Sequence, residues 1–123
     1  MAKKKEMRQS QINTIYDMQA EICSALASPV RLHILDLLSN REKTSSEILE
    51  ILGIPKANLS QHLAVLKSVG ILQSRKDGQF QYLSLAIPKI KDACAIVKTV
   101  LAEKIVHEEK KNSELIRELR AQR

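Results

Sequence analysis

Aromatic side chains are almost missing: Phe, Tyr and Trp make up 2% of the 123 residues, and Trp is absent. Proteins that hold single strands or RNA loops stack bases on aromatic rings, so that kind of surface is excluded. Cysteine is nearly as scarce. Cys23 and Cys94 are too few and too far apart for a disulfide framework, which makes a reducing cytoplasm the expected setting. No apolar run follows the basic start at Lys3, Lys4, Lys5 and Arg8, so no secretory signal is expected. No stretch reaches the ~20 apolar residues that a membrane span requires. A Gly-rich loop to cradle phosphate is also missing, and no nucleophile stands at a useful spacing from a base. Neither an enzyme nor a cofactor is expected. The last absence is local: from Glu50 to Asp92 the single intervening acid is Asp77.

That acid-poor window holds Lys56, Lys67, Arg75, Lys76, Lys89 and Lys91, within a chain of net charge +6. Phosphates repel carboxylates, so this is the composition of a surface that meets a polyanion. The length suits one domain that gains from a partner.

The spacing of apolar residues predicts a helix over residues 9–27, with Ile12, Ile15, Tyr16, Ile22, Cys23 and Leu26 on one stripe. Before it, residues 1–8 read as a flexible basic arm. Ser28-Pro29 marks a stop and a restart, because Ser caps a helix and Pro fits its first turn. Val30, Leu32, Ile34, Leu35, Leu37 and Leu38 make the second helix apolar nearly all round, a buried spine ending at Asn40-Arg41. Thr44 and Glu47 have capping-box spacing for a third helix to Leu52. Gly53 permits a tight turn, and Pro55 starts a fourth helix. Two helices this close form a helix-turn-helix.

On the fourth helix Leu59, His62, Leu63, Leu66 and Val69 share one stripe. The opposite face carries Lys56, Asn58, Gln61 and Ala64, with Ser60 and Lys67 at its flanks. Gly70 closes it. Residues 72–76 and 79–85 read as strands around Asp77-Gly78, a type I′ hairpin pair. Phe80, Tyr82 and Leu83 are expected to pack back on the helices. From Pro88 to about Arg120 a last helix carries Ile90, Cys94, Val97, Leu101 and Ile105 as a narrow seam needing a partner helix. The fold class is therefore mainly α with a small β-hairpin wing (α+β), a winged helix-turn-helix. Residues 9–107 form the domain, and residues 108–123 form a charged helical extension.

Four strings resemble the ArsR/SmtB family of bacterial winged-helix repressors. They are Leu26-Ala27-Ser28-Pro29-Val30-Arg31-Leu32-His33-Ile34-Leu35, Asn58-Leu59-Ser60-Gln61-His62-Leu63-Ala64-Val65-Leu66, Gly70-Ile71-Leu72 and Arg75-Lys76-Asp77-Gly78-Gln79-Phe80-Gln81-Tyr82. The likeness covers about residues 10–105, with its parts in the expected order. It implies a homodimer built on the first and last helices, bound to a pseudo-palindromic double-stranded DNA operator and released by an inducer not identified in the sequence. A twofold dimer matches two half-sites about one helical turn apart.

In that setting Asn58 and Gln61 offer the paired donor and acceptor that read adenine. Lys56 and Ser60 stand where the helix start meets phosphate. Lys67, Arg75, Lys76 and Gln79 suit backbone or wing contacts. His62 has two readings, a packed structural histidine or a base reader. The alternative for the whole face is ordinary solvent exposure, and the alternative for the protein is a winged-helix interaction module without DNA readout.

Sensing departs from the family pattern. The third-helix metal site of many members uses two cysteines, but here the stretch reads Glu42-Lys43-Thr44-Ser45-Ser46-Glu47, and hydroxyls are poor ligands for soft ions. A second family site would fall near Ile87, Lys89, Val100 and Glu103, of which only the Glu is retained. His107 with Glu103 or Glu108-Glu109 reads as a solvated charge run rather than an ion site. No metal is expected. Cys23 and Cys94 remain as candidates for a switch responding to oxidant, reactive sulfur or a thiophilic ion such as As(III). The competing reading makes both small apolar fillers. Thiol switches of the family place a cysteine in the second helix, where this chain has Asp36.

Overall fold

A computed structural model describes residues 2–122 and divides into two compact units, one ending at Pro88 and the other beginning at Lys89. The first unit holds α1 (Ala2–Leu26), α2 (Pro29–Leu37), β1 (Lys43–Thr44), α3 (Ser45–Leu52), α4 (Lys56–Ser68), β2 (Leu72–Asp77) and β3 (Phe80–Leu85). The second is α5 (Ile90–Ala121), a single helix.

The local signals act as their chemistry requires. Ser28 caps α2, its hydroxyl accepting from the Arg31 N–H, with Pro29 in the first turn. Thr44 caps α3 by accepting from the Glu47 N–H at 3.1 Å. Glu47 in turn pairs with Arg41 at 2.9 Å. That hydrogen bond from Arg41 is the main reason the Glu47 carboxyl is held below the ordinary carboxylate range. The carboxylate's contribution is present above the unfolded pKa and is lost as pH falls through the depressed folded value. Removing the cap in Thr44→Ala should cost about 1 kcal/mol of stability, because an orphan N–H at a helix start loses its acceptor. Urea denaturation reads this directly, and an unchanged midpoint would show that Arg41 and Glu47 hold the helix start alone.

The core lies where the helices of this unit meet the sheet. Ile34, Ile48, Leu66, Ile71 and Leu83 are fully buried, with Leu35, Leu38, Leu59, Leu63 and Leu72 around them. The sheet has three strands in the order β1-β3-β2, all antiparallel. β1 pairs Lys43 with Leu83 and Thr44 with Tyr82, so the chain entering α3 is stitched to the wing.

Several expectations change. Helix α1 begins at Ala2, so residues 2–8 continue the helix instead of standing apart from it; Met1 of the expected arm lies outside the described residues. The reason is local, since Lys, Glu, Met, Arg and Gln are good helix formers and no Gly or Pro interrupts them. Helix α2 ends at Leu37, and Leu32 is exposed, so the spine is one-sided. The hairpin turn is Gly78-Gln79, because Asp77 pairs with Phe80. Of the two turn residues Gly78 alone has positive φ, at 62°, the pattern of a type II′ rather than a type I′ turn. Phe80 lies beside this turn and is exposed rather than packed back. In the second unit α5 runs to Ala121 and buries only Ile90. Arg123 of the expected extension lies outside the described residues.

Candidate nucleic-acid interface

The turn between α3 and α4 is made by Gly53, whose φ of 63° closes α3 with its N–H on the Leu49 carbonyl at 2.9 Å. Pro55 then sets the start of α4. Leu59, Leu63 and Leu66 anchor α4 in the core, and that fixes what remains outside. Lys56, Asn58, Ser60, Gln61 and Ala64 are exposed, and Lys67 is half-buried. Helical geometry places residues three and four apart on one face, so Lys56, Ser60 and Ala64 form one row and Asn58 and Gln61 lie next to one another. Helix α4 contains no carboxylate.

His62 is turned inward. It is half-buried, and its Nδ1 lies 3.1 Å from Arg31 Nη1 on α2. Arg31 also donates from Nε to the Ala25 carbonyl at 2.6 Å and from Nη2 to the Ser24 carbonyl at 3.3 Å.

The wing gives its two basic residues different surroundings. Arg75 faces Tyr82 across the ribbon, with its guanidinium carbon 4.3 Å from the ring centroid. Its Nη2 and Nε donate to the two carboxylate oxygens of Glu42 at 2.6 and 3.3 Å. Hydrogen bonding to Glu42 is the main cause of an upward shift in the Arg75 pKa. Lys76 is exposed, and alternation along β2 puts it on the same face as the buried Leu72, opposite Arg75. Gln79 is exposed in the turn.

Sequence reasoning missed Glu42 and Arg31. Glu42 is 33 residues from Arg75, and Arg31 is 31 from His62. No spacing rule reaches so far. The inward stripe position of His62 was the only available hint.

The candidate sensing residues separate. Within one copy Cys23 is exposed on α1 and Cys94 on α5 is half-buried. Among the described residues no three His, Cys, Asp or Glu side chains gather into a metal-binding group. No helix among them is long and apolar enough to cross a membrane.

Comparison with known proteins places this geometry. The model of the bacterial regulatory protein, arsR family, matches residues 28–74, from the α2 cap into β2. An HTH-type transcriptional regulator of Mycobacterium tuberculosis, Rv0081, is 38% identical over 89 residues, 72% of this chain and 78% of that protein. Its crystal structure superposes with a TM-score of 0.71 at 36% identity, over 76% of this chain and 95% of that one. The homodimeric winged helix-turn-helix DNA-binding domain Mb0332 of Mycobacterium bovis, studied in solution, also gives 0.71, at 32% identity over 79% of this chain and 90% of that one. The transcriptional repressor SdpR of Bacillus subtilis is 35% identical over 72 residues, 58% of this chain and 80% of the repressor.

Proposed function

The chain belongs to the ArsR family of bacterial regulatory proteins, and from that premise we propose that it is an inducer-released repressor acting as a homodimer on a pseudo-palindromic operator. The observation that carries the DNA-binding reading is the outer face of α4. A core-anchored helix presents Lys56, Asn58, Ser60 and Gln61 outward without a carboxylate among them. Asn58 and Gln61 read bases in the major groove, and Lys56 and Ser60 hold phosphate. Lys67, Lys76 and Gln79 add contacts along the backbone and at the wing. Arg75 can take a phosphate only by exchanging it for Glu42 or sharing its fork between them.

The dimer reading rests on two helices that bury almost nothing within one copy. Among its 25 residues α1 buries only Ala25, and α5 buries only Ile90 among 32. Helices of this length draw most of their stability from packing an apolar face, and here those faces lie open.

The test is titration of a duplex from upstream of the protein's own gene, with excess random duplex and over a range of salt. A steep fall of affinity with salt and a clear preference for the upstream duplex are expected. Equal affinity for random DNA would instead favour a protein-docking module. Within the same assay Lys76→Ala should lower affinity on all duplexes alike and reduce the salt slope by about 2, one phosphate contact from each copy of the homodimer. An unchanged slope would remove the wing from the phosphate contacts.

For the inducer, we place Cys23, on a helix proposed to meet the second copy, as the target of a thiol-reactive oxidant or a thiophilic ion whose attachment would disturb that contact. Treatment with an oxidant or arsenite should then release the duplex from the native protein and spare Cys23→Ser. Release of both proteins alike would send the search to other residues.

A further inference from the structure

One guanidinium joins three helices of the first unit. Arg31 is held on α2, where its N–H meets the Ser28 hydroxyl at 3.3 Å. Its Nε and Nη2 take the Ala25 and Ser24 carbonyls at the end of α1, at 2.6 and 3.3 Å. The last turn carries the negative end of the helix dipole, and although the Ser24 carbonyl also accepts from the Ala27 N–H at 3.1 Å, a carbonyl has two lone pairs, so a fixed cation belongs there. The remaining donor, Nη1, reaches His62 Nδ1 on α4 at 3.1 Å. Guanidinium has donors only, so a hydrogen bond at this contact requires Nδ1 to accept, with the ring proton on Nε2.

His62 follows Gln61 directly and lies four residues, about one helical turn, after Asn58. The contact therefore acts on the part of α4 that carries the proposed base readers, while Leu59, Leu63 and Leu66 fix only the opposite face. A cylinder held along one stripe can still roll by a few degrees. A side-on tether from Arg31 resists that roll and ties it to the end of α1. Bidentate base contacts are sensitive to such a roll, whereas phosphate contacts tolerate it.

We infer that Arg31 is a positioning residue for DNA readout: through His62 it sets the angle of α4 against the end of α1. The inference rests on the DNA-binding reading above. It gives α1, one of the two helices proposed to meet the second copy, a direct mechanical link to the bases.

The experiment is a double-mutant cycle in the native homodimer, read as affinity for the preferred and for a random duplex, with thermal melts as a folding control. Arg31→Lys keeps the charge but cannot span three acceptors. Arg31→Lys and His62→Ala should each lower specific affinity on the order of tenfold, the worth of one charge-assisted hydrogen bond, and leave random-duplex affinity unchanged. The pair together should lose no more than either alone. His62→Asn should rescue, because its Oδ1 stands where Nδ1 stood, and His62→Gln should not. Full affinity in Arg31→Lys, additive losses, or equal losses on both duplexes would overturn the inference. If the variants do not fold, the wild-type protein decides: ¹⁵N shifts of the His62 ring should show the Nε2–H tautomer, and an Nδ1–H tautomer overturns the inference without any DNA present. A wild-type protein without preference for any duplex would instead fail the DNA-binding reading.

Discussion

Leu101→Glu is expected to yield a monomer and to lower affinity for the operator by about 10²–10⁴-fold, the gain that joining two half-site readers provides. Leu101 continues the seam of Ile90, Cys94 and Val97 on α5, and half of its surface is exposed within one copy, at 51%. Val97 and Ile105 on either side are also exposed. Burying one such side chain stabilises by about 1.5–3 kcal/mol, and a twofold interface counts every substitution twice. A carboxylate there loses that burial and adds an unpaired charge to each side of the contact. Light scattering gives the mass, and anisotropy with an operator duplex gives the affinity. Lys111→Gln, an equal change of charge on the solvated part of α5, should leave both unchanged. A persistent dimer in Leu101→Glu would move the twofold contact away from this seam.

How much of this was legible in the sequence depends on the range of each interaction. The caps at Ser28 and Thr44 act over three residues, and both stand where their side chains dictated. The core face of α4 was likewise written in the spacing of Leu59, Leu63 and Leu66. Errors came where local preferences were nearly balanced. A hairpin can turn on Asp77-Gly78 or on Gly78-Gln79, both of which put Leu72 and Leu83 on one face, and the pairing of Asp77 with Phe80 is the second. The two-residue β1 has no periodicity to detect and exists only because β3 offers it an edge. Arg75 with Glu42 and Arg31 with His62 were invisible for a stronger reason. Each joins side chains more than thirty residues apart, and only the folded chain brings them together. The outward face of α4 was therefore readable, while the contact that orients it was not.

Gln61→Ala should lose about 1–3 kcal/mol of discrimination in each half-site, roughly 5- to 150-fold per copy of the dimer, while binding to random duplex stays nearly constant. The side chain is exposed between Leu59 and Leu63, both buried, so its removal opens no cavity. Ala is a better helix former than Gln, which leaves the stability of α4 intact or slightly raised. A loss of binding therefore cannot be charged to unfolding. Lys56→Ala supplies the contrast: taking away a cation that holds phosphate near the start of the same helix should weaken both duplexes by the same factor and flatten the salt dependence. The two variants thus separate along orthogonal axes, specificity for Gln61 and electrostatics for Lys56. If Gln61→Ala weakens both duplexes equally, the amide is holding the backbone, and base reading falls to Asn58 alone. Substituting single base pairs across the operator then identifies the position that Gln61 reads. Its preference should vanish in Gln61→Ala, while preferences elsewhere in the half-site persist, because a bidentate amide discriminates only at the pair it spans.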